Sequence, residues 1–229
     1  MVASNKREKA RAALLAGASG LVGRALLALL LESPAYGRLH AALRRQVIDL
    51  PAHRKLRATV VDFDRLPLLP PVDDVFIALG TTIKAAGSRQ AFRRVDFDAV
   101  VNIARAGRSA GARRLMVVSA LGADAGSRVF YNRVKGEMEQ AVAALGYESV
   151  LIARPSLLLG DRAELGQPTR AGEAWAARLL RPVLCWVPRG VRPIDAERVA
   201  RALLDGALNA RPGVTVLASG ELQAVPGRR

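Results

Sequence analysis

Seven residues near the start of the chain, Gly17-Ala18-Ser19-Gly20-Leu21-Val22-Gly23, restrict the fold more than any other stretch. They directly follow an apolar run at 12–16 and open a helical stretch at 21–31, so the glycines stand at a strand-to-helix turn. In that setting each glycine has a physical task. Gly17 allows the tight turn, Gly20 lets a pyrophosphate approach the backbone, and Gly23 lets the helix pack close to the sheet. Ser19, Leu21 and Val22 place backbone amides at the helix start, where they face negative phosphates. The spacing G-x-x-G-x-x-G departs from the G-x-G-x-x-G of many dinucleotide sites, and a glycine-rich turn with no ligand is the competing reading.

The β-then-α alternation repeats along the chain. Apolar runs at 39–43, 57–61, 75–79, 115–118 and 150–153 read as strands. Helices are expected at 92–110, with Val95, Ala99, Ile103 and Ala106 on one face, and at 129–145. Continuous apolar strands separated by helices predict an α/β fold, a Rossmann-like doubly wound parallel sheet covered on both faces. After Pro155 the pattern loosens. A loop at 157–170, a short helix near 173–180 and a proline-punctuated stretch at 181–193 predict a small C-terminal substrate-facing lobe. Asp195 is expected to cap a helix at 196–210, with a last strand at 214–218. The whole chain, 1–229, reads as one nucleotide-binding domain, with a core at 12–155 and the lobe at 156–229.

Residues at the strand ends select the nucleotide. An acid after the second strand bonds a ribose 2′-hydroxyl, whereas arginine pairs with a 2′-phosphate. Arg44 and Arg45 stand there, with the nearest acid at Asp49, so NADP(H) is expected over NAD(H); two solvated surface arginines are the plainer alternative. Asp62 could accept from an adenine amino group or cap a turn with Asp64. Gly80, Thr81 and Thr82 follow the fourth strand at the sheet edge where ligands of such folds sit.

Chemistry is suggested by Tyr131-Asn132-Arg133-Val134-Lys135, which puts a phenol and an ammonium at i and i+4 on one helical face. A phenol with a pKa near ~10 is a poor proton shuttle at neutral pH, and an adjacent Lys⁺ makes it more acidic. Lys135 could also bond a nicotinamide ribose. Ser119, at the end of the fifth strand, could hold a carbonyl oxygen while Tyr131 donates a proton.

The ordered set Gly17 to Gly23, Leu79-Gly80-Thr81-Thr82, Val118-Ser119-Ala120-Leu121-Gly122-Ala123, Tyr131 with Lys135-Gly136-Glu137, and Arg154-Pro155 resembles the atypical short-chain dehydrogenases/reductases. Within them it is most similar to the Tat-interacting-protein-like NAD(P)H-binding oxidoreductases and their bacterial relatives, over about residues 12–161. The resemblance implies a Rossmann fold, NADP(H) binding and a Ser119–Tyr131–Lys135 triad, with Tyr131 and Lys135 bordering the cofactor as well. It implies Arg44 and Arg45 at the 2′-phosphate and Pro155 in a loop passing the nicotinamide, and it assigns Asn102 no role. The implied activity is an oxidoreductase on an unknown carbonyl or hydroxyl substrate. Epimerase or dehydratase chemistry uses the same triad. The branch also contains NADP(H)-binding regulators, so a non-catalytic sensor that binds a protein partner through its C-terminal lobe is the alternative.

Composition narrows the field further. A net charge of +15 raises a third reading, electrostatic binding to nucleic acid or a membrane surface. The arginines are scattered, as at Arg93-Arg94, Arg113-Arg114 and Arg228-Arg229, which weighs against nucleic acid as a main partner. Two histidines, His40 and His53, and the single Cys185 exclude an intramolecular disulfide and argue against a zinc site, so no metal is expected. Cys185 lies in an apolar run and reads as a buried, inert thiol rather than a reactive one. No stretch approaches the ~20 apolar residues of a membrane span, and the start lacks a signal-peptide core, so a cytoplasmic protein is expected. Trp175, Leu179, Leu180, Val183 and Trp186, flanked by Arg178 and Arg181, read as lobe packing, with a pocket wall or a membrane contact as alternatives. Lys84, Arg89 and Arg93 suit a solvated helix face or an anionic substrate, and Asp161 and Arg162 begin a loop where selectivity would lie.

Overall fold

Strands in the computed structural model, which describes residues 10–47, 49–159 and 190–225, fall where short apolar runs are too brief to form helices. They are β1 (Arg11–Ala16), β2 (Tyr36–Leu43), β3 (Leu56–Val60), β4 (Asp74–Ile77), β5 (Arg114–Val118), β6 (Ser149–Arg154), β7 (Leu158–Leu159), β8 (Ile194–Asp195) and β9 (Gly213–Ala218). Seven of them form a parallel sheet in the order β3-β2-β1-β4-β5-β6-β9, while β7 and β8 pair separately. This is a Rossmann-like doubly wound sheet. Strand order reverses between β1 and β4, which opens a ligand crevice at their carboxyl ends.

The central strands β1, β4, β5 and β6 are buried on both faces, as continuous apolar strands require, while the edge strands β3 and β9 are largely exposed. Ala13 and Leu15 of β1 point into a core with Leu26, Leu27 and Leu30 of α1 (Leu21–Glu32) and with Val199 and Leu203 near the C-terminus. Ala12, Leu14 and Ala16 point the other way, against Val100, Ile103 and Met138. Each leucine removed from water this completely contributes ~1.5–3 kcal/mol.

The remaining helices are α2 (Ile83–Ala86), α3 (Arg89–Arg93), α4 (Val100–Ser109), α5 (Phe130–Ala143), α6 (Ala196–Leu208) and α7 (Ser219–Leu222). The helix expected at 92–110 is longer and differently phased. It starts at Arg89, and between α3 and α4 it widens into a π-helical turn, Arg94–Ala99. The wider turn rotates the buried stripe onto Phe92, Asp96 and Ala99, leaving Val95 and Ala106 only partly covered.

Asp195 occupies the expected cap position of α6, but its side chain makes no capping bond and instead lies 3.8 Å from Arg198. The pairing of β7 with β8 was not expected. The stretch at 173–180, the Trp175–Trp186 patch with Arg178 and Arg181, Asp161, Arg162, Cys185 and Arg228-Arg229 lie outside the described residues. Among the described residues no helix is long and apolar enough to cross a membrane.

Candidate functional site

The glycine-rich turn lies at the mouth of the crevice. Gly17 has φ +93°, and a Cβ there would stand 2.5 Å from the Ala78 carbonyl oxygen at the end of β4. At Gly23 a Cβ would meet the Gly17 oxygen at 1.9 Å. Packing alone explains these two glycines. Gly20 is different: its backbone is extended, and a Cβ would find nothing nearer than 3.5 Å. The protein has no internal need for that missing side chain, whereas a pyrophosphate approaching the turn does.

The helix that follows is prepared for an anion. No side chain caps α1 and no acidic residue lies in its first turn, so its leading amides are left unclaimed by a capping side chain. Ser19, Leu21, Val22 and Gly23 make up this start. These features fit a dinucleotide.

The other expected cofactor contacts ring the same edge. Arg44 and Arg45 follow β2 as exposed side chains with no ion-pair partner among the described residues. Asp62 is exposed, and its Oδ1 accepts from the Asp64 amide at 2.9 Å, the turn-capping role. Thr82 caps α2, its Oγ1 accepting from the Ala85 amide at 3.1 Å. Pro155 is buried after β6, and its carbonyl accepts from the Leu121 amide at 2.8 Å, tying together the loops after β5 and β6. Asn102 holds the Phe63 carbonyl at 3.1 Å, a structural bond.

Tyr131 and Lys135 lie one turn apart on α5, and Ser119 follows β5. Ser119 is 5% exposed, yet its Oγ has no hydrogen-bond partner among the described residues. A buried hydroxyl left unpaired costs ~1–3 kcal/mol, so its retention suggests a ligand atom as the missing partner. Gly136 presses α5 against the preceding loop, since a Cβ there would lie 2.1 Å from the Ala125 nitrogen.

Two residues of this neighbourhood escaped the sequence reading. The Phe92 ring packs on the Tyr131 ring with centroids 5.2 Å apart. One turn further, Asp96 Oδ1 lies 2.7 Å from Lys135 Nζ, and Asp96 Oδ2 accepts from the Thr81 amide at 3.0 Å. Arg154 grips Glu139 of α5 through two nitrogens, the shorter contact being 2.5 Å. A signal for Asp96 existed: it falls on the helical stripe from Phe92 through Ala99 to Ile103, where a carboxylate must have a reason to be buried.

Comparison with known proteins bears on the fold and the family. Residues 17–168 match the family described as NAD(P)H-binding. The chain belongs to the NAD(P)H-binding family. It is 36% identical over 210 residues to protein fmp52, mitochondrial, of Aspergillus fumigatus, covering 87% of this chain and 88% of that one. It is 34% identical to protein HTATIP2 of Rattus norvegicus, covering 73% and 69%. Among solved structures, MoeE5 in complex with UDP-glucose and NAD aligns with a TM-score of 0.67 at 20% identity, covering 90% of this chain and 75% of that one. A short chain dehydrogenase family protein from Francisella tularensis aligns with a TM-score of 0.67 at 13% identity, covering 93% and 99%.

These matches correct two expectations. The fungal relatives are named as mitochondrial, which overturns the expectation of a cytoplasmic protein. Absence of a recognisable secretory start says nothing about other compartments. The bacterial side of the resemblance finds no support among these relatives, which are fungal and mammalian.

Proposed function

We propose that this NAD(P)H-binding protein is an NADP(H)-dependent reductase or dehydrogenase of the short-chain type, acting on a carbonyl or hydroxyl group. The observation that supports this best is the buried Ser119 Oγ, without a partner among the described residues, at the sheet end where no side chain caps α1. Ser119 would donate to a carbonyl oxygen and fix its orientation. Tyr131 would pass a proton to that oxygen, with the Lys135 ammonium making the phenol more acidic. The bound nicotinamide would supply the hydride.

Gly17, Ser19, Gly20, Leu21, Val22 and Gly23 would hold the pyrophosphate through backbone amides. Arg44 and Arg45 would take the 2′-phosphate, for which two exposed guanidinium groups after β2, without an ion-pair partner among the described residues, are suited. Asp62, Gly80, Thr81, Thr82 and Pro155 would border the nucleotide. Residues 12–155 would form the nucleotide-binding core, within one domain that includes 156–229.

Titration with NADPH and NADH, followed by nicotinamide fluorescence, tests the cofactor half. Tight NADPH binding that Arg44→Ala/Arg45→Ala weakens by about tenfold or more, with NADH weak throughout, supports the reading. Equal affinity for both nucleotides contradicts it. Turnover of a carbonyl panel, abolished by Tyr131→Phe, tests the chemical half. NADPH binding with no turnover on any member favours the non-catalytic sensor instead.

A further inference from the structure

We propose that Asp96 is a positioning residue: it supplies the counter-charge of Lys135 and holds it in place beside Tyr131, so the acidity of the Tyr131 phenol depends on Asp96 through Lys135. The inference rests on the reading of Tyr131 as the proton donor and deepens it. The Asp96 side chain is fully buried and that of Lys135 is 3% exposed. An ammonium taken out of water this far without a counter-charge gives up its proton. Asp96 supplies that charge at 2.7 Å. The approach is off the direction of a hydrogen bond, so the contact is mainly Coulombic.

The geometry around the pair is built for this role. Asp96 stands in the π-helical turn, a local widening that often marks functional sites. Its second oxygen is anchored by the Thr81 amide just past β4. Phe92, one turn earlier on the same helix, packs on the Tyr131 ring. One helix face therefore grips Tyr131 with an aromatic ring and Lys135 with a carboxylate. Other charged groups on the elements packed here are engaged elsewhere: Arg93 and Arg133 with Glu137, Arg154 with Glu139, and Asp124 with the Gly126 amide. Lys84 and Arg94 are exposed, Arg89 lies over the Phe130 ring, and Asp98 is half-buried.

A carboxylate acting directly on a phenol makes it less acidic, whereas one acting through Lys135 makes it more acidic. The sign separates the two. The chain has three tyrosines. Burial pushes the Tyr36 and Tyr147 phenols well above the ordinary range, and the Asp74 carboxylate adds to the rise at Tyr36. Phenolate absorbance over the accessible alkaline range therefore reads Tyr131, without any substrate.

The experiment is that titration on the full chain, with melting curves to establish folding. The unmodified protein should titrate below the ~10 of a free phenol. Lys135→Met and Asp96→Asn should each raise the midpoint by about 1 pH unit, and Asp96→Glu should recover part of the shift. Asp96→Asn/Lys135→Met should match Lys135→Met alone. The double variant leaves no stranded ammonium and tests for a direct effect of the carboxylate on the phenol, while Asp96→Glu, which keeps the charge, reads the effect through Lys135 where Asp96→Asn does not fold. An unchanged or lowered midpoint in Asp96→Asn overturns the proposal, as does a double variant below Lys135→Met. An ordinary midpoint that Lys135→Met leaves unmoved overturns the assignment of Tyr131 itself, and the role of Asp96 with it.

Discussion

Two carboxylates, Asp74 and Asp96, are both fully buried, yet they sit at opposite ends of the sheet and keep different company. Asp74 begins β4. The Tyr36 hydroxyl donates to it at 2.7 Å, the Arg114 guanidinium holds its other oxygen, and Arg11 lies 3.7 Å away. Burial raises the Asp74 carboxyl, while Tyr36 and Arg114 pull it back down. Asp96 stands at the carboxyl ends of the strands with Lys135 and the Thr81 amide, at the same end as the unpartnered Ser119 hydroxyl. The cluster at the amino end closes on itself and ties β1, β2, β4 and β5 together. The one at the carboxyl end leaves open the atom that a ligand would meet. Buried charge alone does not mark a site; at the carboxyl end a hydroxyl unpaired among the described residues, a glycine-rich turn and an uncapped helix start come together.

Variants can break or sharpen this contrast. The largest expected effect is at the closed end. Asp74→Ala strands Arg114 and Tyr36 and should cost about 3–5 kcal/mol in urea denaturation, with nucleotide affinity of the folded fraction unchanged. A loss below about 1 kcal/mol would show that the cluster does not hold the strand starts together. Glu139→Gln should come next, at about 1.5–3 kcal/mol, because it removes the charge from the two-nitrogen grip of Arg154 that joins α5 to β6. Its melting temperature measures this directly.

The smallest stability effect belongs at the open end. Ser119→Ala deletes a hydroxyl with no bond to lose among the described residues, so stability should stay within about 0.5 kcal/mol or rise. Turnover on any accepted carbonyl should nonetheless fall by about 10²-fold. A clear loss of stability would mean that Ser119 has a structural partner, and the contrast between the two ends would weaken.

Much of this was legible in sequence. The run at 12–16, the glycines and the leucine-rich helix after them specify β1, the turn and α1 locally, so their positions are set by neighbours in the chain. Tyr131 and Lys135 are one helical turn apart, and helical phase brings them to one face. What stayed hidden depends on tertiary packing. The π-helical turn inserts no unusual residue, and only the shift of burial from Val95 to Asp96 reveals it. Lys135 reaches Asp96 across two helices, a contact no local pattern encodes. The β7–β8 pair is two residues long on each side, too short to show any periodicity. Asp195 was placed correctly as a cap by residue type, but its side chain turned to Arg198 instead of the helix amides.

The central claim is that the turn at Gly17 to Gly23 receives a nicotinamide dinucleotide, and Gly20 tests it most directly. Its extended backbone and open surroundings mean that Gly20→Ala should fold with an unchanged melting temperature. In a fluorescence titration with NADPH, the unmodified protein should bind saturably and Gly20→Ala should lose at least about tenfold in affinity. Equal binding by the two proteins, or no binding by either, would contradict the account.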